Sequence, residues 1–296
     1  MHPPGLSILL HQALESRLDR ILLLTADEEW LDKVDAVHDV RVASRRLRTV
    51  LEFVDPERYP GLRTLRKRAK ALTGALGATR EFDVHLLKLA SLGPELTDQA
   101  GHAVLEHVLE TFERRRQKAR RRMVRGLRRV QIQDLLRLRE SEATAEDAEE
   151  ADPSVVTRNL LEPMLVSTLH GVGGRVAVED ALLLHRLRID IKKLRYAIEV
   201  LAPTLAPEAG AWLVRLKALQ GALGEHHDWS VLEADLWELH ARLTNSRRAA
   251  LAAGILDLLG IAIEHRRRAF EAIPPAAAPL DAERLAEALF LGGQPA

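Results

Sequence analysis

HDVRVASRRLRTVLEFV, residues 38–54, separates into two chemically different faces when it is placed on a helix at 100° per residue. One stripe carries His38, Arg41, Arg45 and Arg48. The opposite side carries the apolar residues Val40, Leu47, Leu51 and Val54. The stretch therefore predicts an amphipathic helix with a cationic ladder on one face and a core-facing surface on the other.

The same pattern occurs again at residues 185–201, which read HRLRIDIKKLRYAIEVL. The second ladder consists of His185, Arg188, Lys192 and Arg195, with Leu187, Leu194, Ile198 and Leu201 behind it. An offset of 147 residues relates the two ladders, and the same offset relates KALTGALG at 70–77 to KALQGALG at 217–224. Two separate matches at one offset predict an internal duplication.

Apolar residues at helical spacing, separated by proline and glycine, predict helices along the rest of the chain and no sheet. The predicted helices cover 6–24, 38–54, 61–77, 82–92, 97–139, 153–169, 185–201, 208–224, 229–243 and 246–272, with a short helix in the tail. We predict an all-α fold of two helical bundles related by a pseudo-two-fold axis, which would allow the two ladders to face each other across one groove. The resemblance described below implies that these are four-helix bundles with a basic groove or pore between them. The bundles are assigned to 1–139 and 154–275, with an acidic linker at 140–153 and a tail at 276–296.

Composition excludes several function classes. The 296 residues contain no cysteine, so disulfides, thiolate metal sites and cysteine nucleophiles are excluded. No run of about 18 apolar residues occurs, so we expect no membrane span and a cytoplasmic protein. The formal net charge is zero, but residues 114–129 hold ten bases and no acid, whereas residues 140–152 hold seven acids and no base. Because segregated charges shape the local field, a zero total does not exclude a polyanionic ligand.

The ladders favour anion binding over a merely solvated face. Each ladder presents four groups that can be cationic before its first acid, which is Glu52 or Glu199. A solvated helix face usually alternates acids with bases one turn apart, and like charges at that spacing repel each other. In the repeats that follow, Lys70 and Lys217 are further candidate contacts. The glycines one turn later cost helix stability, which indicates close approach of another helix or of a ligand.

Metal binding and catalysis find less support. The arginines around His38 and His185 disfavour a metal cation, and the sequence His226-His227-Asp228 has no histidine in its counterpart at 79–81. No phosphate-binding loop or known catalytic motif occurs, so we expect a non-enzymatic protein without cofactor or metal. A phosphoryl-transfer enzyme or phosphohydrolase that uses His38 or His185 remains an alternative.

A second alternative is nucleic-acid binding through residues 114–129. The bases of this run surround the predicted helix, and no aromatic residues alternate with them to stack on bases, so nucleic acid is the less favoured ligand. An anion in the groove would instead favour protonated imidazoles. The unperturbed histidine pKa therefore predicts binding that strengthens as pH falls through about 6.5.

The two ladder stretches, each followed by a Leu-Gly-x-x-Arg/His-Asp/Glu element, resemble the CHAD family, the conserved-histidine α-helical domain, over about residues 6–272. This resemblance implies two pseudo-two-fold-related bundles with a basic groove that binds inorganic polyphosphate, and association with polyphosphate granules. By matching position, it implies phosphate contacts at His38, Arg41, Arg45, Arg46, Arg48 and Lys70 in the first half and at His185, Arg188, Lys192, Lys193, Arg195 and Lys217 in the second.

Four further positions complete the predicted site. Arg63 and Lys67 lie on the same side of a predicted helix as Lys70, and Arg80 and His227 occupy equivalent positions after the glycine repeats. Glu81 stands where the family usually has aspartate. The expected ligand is long-chain polyphosphate, with other phosphate polyanions as further candidates and no membrane partner.

Overall fold

The computed structural model describes residues 6–53, 60–130, 153–173, 177–178, 180–205 and 207–277. Within these ranges the chain forms helices and no strand, which confirms the all-α prediction. The helices are α1 (Leu6–Leu24), α2 (Val34–Phe53), α3 (Pro60–Ala75), α4 (Gly77–Leu92), α5 (Gln99–Val130), α6 (Pro153–Gly173), α7 (Ala181–Leu201), α8 (Ala209–Asn245), α9 (Ala249–Glu271) and α10 (Ile273–Ala277). Short 3-10 segments lie at Glu28–Asp32, Gly93–Glu95 and Ala202–Thr204.

Several predicted boundaries differ from those observed. The acidic linker, the last part of the helix predicted at 97–139 and most of the tail lie outside the described residues. Helix α6 starts at Pro153 as predicted, but it continues past the predicted end near residue 169 to Gly173. Helix α4 begins five residues before the predicted position 82, because the backbone at Leu76 stays in the right-handed helical region (φ −79°, ψ −11°).

The largest difference concerns α8, where two helices were predicted at 208–224 and 229–243. The structure has one continuous helix of 37 residues, about 55 Å long at the usual rise per residue. Residues 225–228, Glu-His-His-Asp, suggested a break because they are polar and follow Gly224. They remain helical because apolar residues anchor the helix on both sides of them, so tertiary packing overrides local preference.

Two apolar cores account for this continuity. The first contains α1, α2, α3, α6, α7, the end of α5 and the first part of α8. The second contains the end of α4, the first half of α5, the rest of α8, and α9. Helices α5 and α8 therefore run from one core to the other. The predicted halves, 1–139 and 154–275, each contribute residues to both cores.

A polar layer separates the two cores at the middle of α4, α5 and α8. Lys88, which is buried, donates to the Glu225 carboxylate (2.5 Å) and lies 4.2 Å from the Trp229 ring centroid. Arg116 donates to buried Asp83 (2.5 Å), and the pair ties α5 to α4. Since buried charges are stable only when paired, these contacts fix the relative placement of the three helices.

Glycine packing between α5 and α9 yields a stability prediction. An alanine Cβ at position 254 would lie 2.5 Å from Val104 Cγ2, so we expect Gly254→Ala to lower the free energy of unfolding by about 1–2 kcal/mol through overpacking. A Cβ at Gly260, on the same helix, would meet no atom of the described residues within 4 Å, so Gly260→Ala should raise the free energy of unfolding by up to about 1 kcal/mol. Urea denaturation of both variants checks this pair, and equal effects would contradict the packing argument.

Candidate phosphate-binding groove

The ladder residues of α2 and α7 lie side by side, as the duplication predicted for equivalent positions. The two helices pack against each other. Burial, and then the charges of Arg45 and Arg188, lower the pKa of Arg41 to about 10. Burial and the charges of Arg188 and Arg195 also lower the pKa of Arg45, with Tyr196 opposing them. Guanidinium groups from both helices therefore share one electrostatic environment, which we call the groove cluster: Arg41, Arg45, Arg48, Arg188 and Lys192.

Lys192 lies at the centre of the groove cluster. Burial, and then the charges of Arg45, Arg188, Arg41 and Arg48, lower its pKa to about 7. Among the described residues, Lys192 has no ion-pair or hydrogen-bond partner. An ammonium held among four guanidinium groups is unfavourable, so the ligand-free protein favours the neutral Lys192 amine much more than an exposed lysine would.

Unpartnered donors accompany this charge. Within the described part of the chain, the buried Nε atoms of Arg41 and Arg45 and the buried Nδ1 atom of His38 have no hydrogen-bond partner. A buried donor without a partner costs about 1–3 kcal/mol. The groove cluster is therefore unfavourable in the ligand-free protein in two respects, unpaired charge and unpaired donors, and an added polyanion would relieve the first directly.

The two ladder histidines mark the end of the groove that faces α4 and α8. Burial, and then Arg80, lower the pKa of His38. Burial and Arg188 likewise lower the pKa of His185, whose Nδ1 atom lies 3.3 Å from Nδ1 of His227. Burial and the neighbouring cations lower the pKa of His227 to about 4. The pKa values of these rings in the ligand-free protein therefore lie below the ordinary histidine value of about 6.5, because the rings are partly buried and lie near cations.

At this end an acid accompanies the cations. Burial raises the pKa of Asp228, while Arg188, Lys88 and Arg80 act in the opposite direction. Arg80 therefore influences His38, Arg41, Arg45 and Asp228, although it comes from α4 rather than from a ladder. Arg80 and His227 therefore lie among the charged groups of the groove, and their contact with a ligand stays a prediction.

The opposite end of the groove is closed by ion pairs. Glu199 lies 3.1 Å from Arg195 and 3.3 Å from Arg46, which joins α7 to α2. Arg195 also donates to the Gln220 side-chain oxygen (3.0 Å), and both arginines lie over the Tyr196 ring. Arg46 and Arg195 are therefore partly neutralised, unlike the groove cluster.

Five predicted contacts lie on the exposed surface outside the groove cluster. They are Arg63, Lys67 and Lys70 on α3, Lys193 on α7 and Lys217 on α8. A Cβ added at Gly74 or Gly221 would meet no described atom within 4 Å. The prediction that these repeated glycines mark a close helix contact is therefore wrong, and their approach to a ligand stays a prediction.

Sequence reasoning missed two basic residues of α1. Arg17 and Arg20 line a cleft with Asp39 and Arg46 of α2. Burial, and then Arg46, lower the pKa of Arg17, with Glu199 opposing them. The spacing of three residues between Arg17 and Arg20 puts both on one side of α1, and this spacing was the available signal.

Four arginines of the basic run at 114–129 form intramolecular ion pairs in the part of the chain that the structure describes. Arg114 lies 3.6 Å from Glu110, Arg115 lies 3.9 Å from Asp235, and Arg120 pairs with Asp32. Arg116 is held by Asp83, as described above. These pairs reduce the charge available to a nucleic-acid backbone.

Two further features of the described residues bear on other functions. No group of three or more histidine, aspartate or glutamate side chains is placed to hold a metal ion in this part of the chain. None of the described helices combines the length and apolar character needed to cross a bilayer.

Comparison with known proteins identifies the fold. The CHAD domain family model matches residues 12–237. The crystal structure of the CHAD domain from the plant Ricinus communis is 25% identical, with a TM-score of 0.69 over 95% of this chain and 94% of that chain. PptA from Streptomyces chartreusis is 16% identical, with a TM-score of 0.60 over 91% of this chain and 99% of that chain, and it supports the fold alone. A comparison with the curated proteins finds no match.

Proposed function

Because this chain belongs to the CHAD domain family, we propose that it is a non-enzymatic protein that binds long-chain inorganic polyphosphate along the paired ladders of α2 and α7. The observation that carries the proposal is the groove cluster, in which Lys192 and four arginines from two helices repel one another without a partner at Lys192. A linear polyanion supplies successive charges to successive side chains and removes this repulsion. Association with polyphosphate granules in the cytoplasm would follow from such binding.

Geometry favours a long ligand over a short one. The ladder of α2 spans residues 38–48, or about 15 Å at the usual helical rise. A single phosphate or a pyrophosphate can satisfy only part of such a row, whereas a chain contacts several guanidinium groups at once. Each added contact on one ligand is intramolecular, so affinity rises steeply with chain length.

Competition calorimetry tests this proposal. Long-chain polyphosphate should bind much more tightly than pyrophosphate at equal phosphorus concentration, and pyrophosphate should displace it poorly. Four to six contacts predict a slope of log K against log salt concentration of roughly −3 to −4. If pyrophosphate competed as well as long-chain polyphosphate, or if the affinity did not depend on salt concentration, the proposed binding along the groove would be contradicted.

Two further assays distinguish the alternatives. With magnesium present, we expect no phosphate release from polyphosphate; release that His38→Ala abolishes would instead support an enzyme. RNA should compete weakly because four arginines of the 114–129 run form intramolecular ion pairs and no aromatic residues alternate with its bases to stack on nucleobases. If charge reversal within this run removed polyphosphate and RNA binding equally, both ligands would bind one non-specific basic surface, and the proposed groove would not be the polyphosphate site.

A further inference from the structure

We infer that the cleft between α1 and α2 is a second anion site, which binds a single phosphate group that carries a P–OH and is separate from the groove cluster. The residues that line this cleft are Arg17 and Arg20 of α1 and Asp39, Val42, Ala43 and Arg46 of α2. None of them belongs to the groove cluster, so the inference does not depend on the proposed function.

The cleft has the size of one small oxyanion. Its volume is about 100 Å³. One water molecule occupies about 30 Å³ of the liquid, so the cleft has room for about three waters. Sites for drug-sized molecules start at about 300 Å³, and a nucleotide would therefore lie largely outside the cleft. A tetrahedral phosphate group, with five heavy atoms, suits a space of this size.

The cleft lies on a different face of α2 from the ladder. At 100° per residue, the cleft positions 39, 42, 43 and 46 are turned by roughly 130° from the ladder positions 38, 41, 45 and 48. Along the helix axis, Asp39 and Arg46 are about 10 Å apart. They therefore stand at opposite ends of the cleft, with the small apolar side chains of Val42 and Ala43 between them. A chain that follows the ladder does not cover this face.

The guanidinium groups of the cleft lack sufficient anionic partners. Within the described part of the chain, Arg17 and Arg20 form no ion pair or hydrogen bond. Arg46 lies 3.3 Å from Glu199, but Arg195 shares that carboxylate at 3.1 Å. The buried Nε atoms of Arg17 and Arg46 also have no hydrogen-bond partner among these residues. A phosphate group bound by paired N–H donors would supply the missing negative charge.

Asp39 allows the cleft to distinguish phosphate from sulfate. It is exposed at the cleft and forms no ion pair with a described arginine. An ionised carboxylate only accepts hydrogen bonds. It therefore repels sulfate, which has no proton near neutral pH, but it can accept a hydrogen bond from the P–OH group of inorganic phosphate or of the end of a phosphate chain. Internal units of a chain have no P–OH group and should be excluded.

Equilibrium dialysis with radiolabelled inorganic phosphate at pH 6.5 tests the site. The full chain carries Arg45→Gln and Lys192→Gln, so that the centre of the groove does not contribute. We expect one saturable site per chain, which Arg17→Gln in this background weakens at least tenfold. Arg242→Gln, which removes an exposed arginine paired with Glu238, should leave the affinity within twofold. Absence of saturable binding, or binding that Arg17→Gln leaves unchanged, would overturn the inference.

Two controls separate loss of the site from loss of the fold. Arg17→Gln removes a partly buried guanidinium without a partner, so the melting temperature of the ligand-free protein should not fall. Arg20 is exposed, and Arg20→Gln should weaken phosphate binding at least threefold with an unchanged melting temperature. If Arg17→Gln did not fold, binding that also survived Arg20→Gln would refute the cleft as the site.

Competition by sulfate tests the role of Asp39. Sulfate should displace the labelled phosphate at least tenfold less effectively than unlabelled phosphate does. Asp39→Asn, whose amide can donate to either anion, should bring the two within about threefold. Equal competition by sulfate and phosphate in the chain that retains Asp39 would overturn the assignment of a P–OH ligand.

Linear tripolyphosphate and cyclic trimetaphosphate distinguish the two sources of such a ligand, because only the linear compound has chain ends. Displacement by tripolyphosphate alone would identify chain ends as ligands, and displacement by neither would identify free phosphate. Equal displacement by both would overturn the inference. The wild-type chain separates it from the proposed function: long-chain polyphosphate binding without a phosphate site in the cleft rejects this inference alone, and the reverse result rejects the groove alone.

Discussion

Replacing Arg45 and Lys192 together with glutamine is expected to weaken polyphosphate binding by about 100-fold and, at the same time, to stabilise the ligand-free protein. The loss of affinity follows from two charged contacts of about 1.5 kcal/mol each, since 1.4 kcal/mol corresponds to a factor of ten. The two residues come from different helices, and the charge of Arg45 lowers the pKa of Lys192 in the free protein. The double substitution therefore removes one central charged contact from each of the two ladders.

The gain in stability follows from the sign of the Lys192 shift. Its pKa is about 7 in the folded state and 10.5 in the unfolded state, so folding opposes protonation and the charge destabilises the protein. This penalty is fully present below pH 7, shrinks as pH rises from 7 towards 10.5, and is absent above that value. After allowance for solvent screening, we expect about 1–3 kcal/mol at pH 7, or a melting temperature roughly 3–6 °C higher.

Calorimetric titration and thermal unfolding of the same preparations measure both effects. Lys33→Gln is a matched control, because it removes one lysine charge at an exposed position paired with Glu29, away from the groove. It should leave affinity within about twofold. A double variant that loses affinity and also loses stability would mean that Arg45 and Lys192 support the fold, and the proposed role of the groove would be withdrawn.

Periodicity was enough to predict the ladders, because a 3.6-residue repeat places side chains on one face without any knowledge of the tertiary fold. The repeat offset then predicted that equivalent residues meet, and the mutual influence of Arg41 and Arg188 agrees with this arrangement. Helix α8 shows where the local sequence pattern fails to predict the structure. Its polar residues at 225–228 indicated a break, but two separate cores hold the helix on either side of them.

The pairing and burial of the charged side chains were not predictable from the sequence. The run at 114–129 looked free because it contains no acid, yet Asp83, Asp235 and Asp32 pair with its arginines from other elements. Conversely, Lys192 looked like any other ladder residue. Its low pKa depends on burial beside arginines of another helix, and only tertiary structure brings those groups together.

Polyphosphate binding is expected to take up close to one proton at pH 8, and Lys192→Arg should abolish this uptake. The free amine is about 90% neutral at that pH, whereas a bound polyanion favours the ammonium and returns its pKa towards the ordinary value. Affinity should therefore be nearly constant just below pH 7 and fall as pH rises from 7 to 9, by up to tenfold per unit. We therefore expect the affinity to change with pH between 7 and 9, and not near pH 6.5 as the ordinary pKa of histidine predicted.

Titration calorimetry in two buffers with different ionisation enthalpies measures the proton count directly. Wild type should give a value near 0.9 at pH 8 and His185→Gln a similar one, because the pKa of His185 is already lowered and its ring is largely neutral there. Binding to a polyanion could still protonate that histidine, but only at lower pH, where His227 with its pKa of about 4 would also contribute. Uptake that survives Lys192→Arg and disappears in His185→Gln would place the proton on the ladder histidines and refute the central role of Lys192.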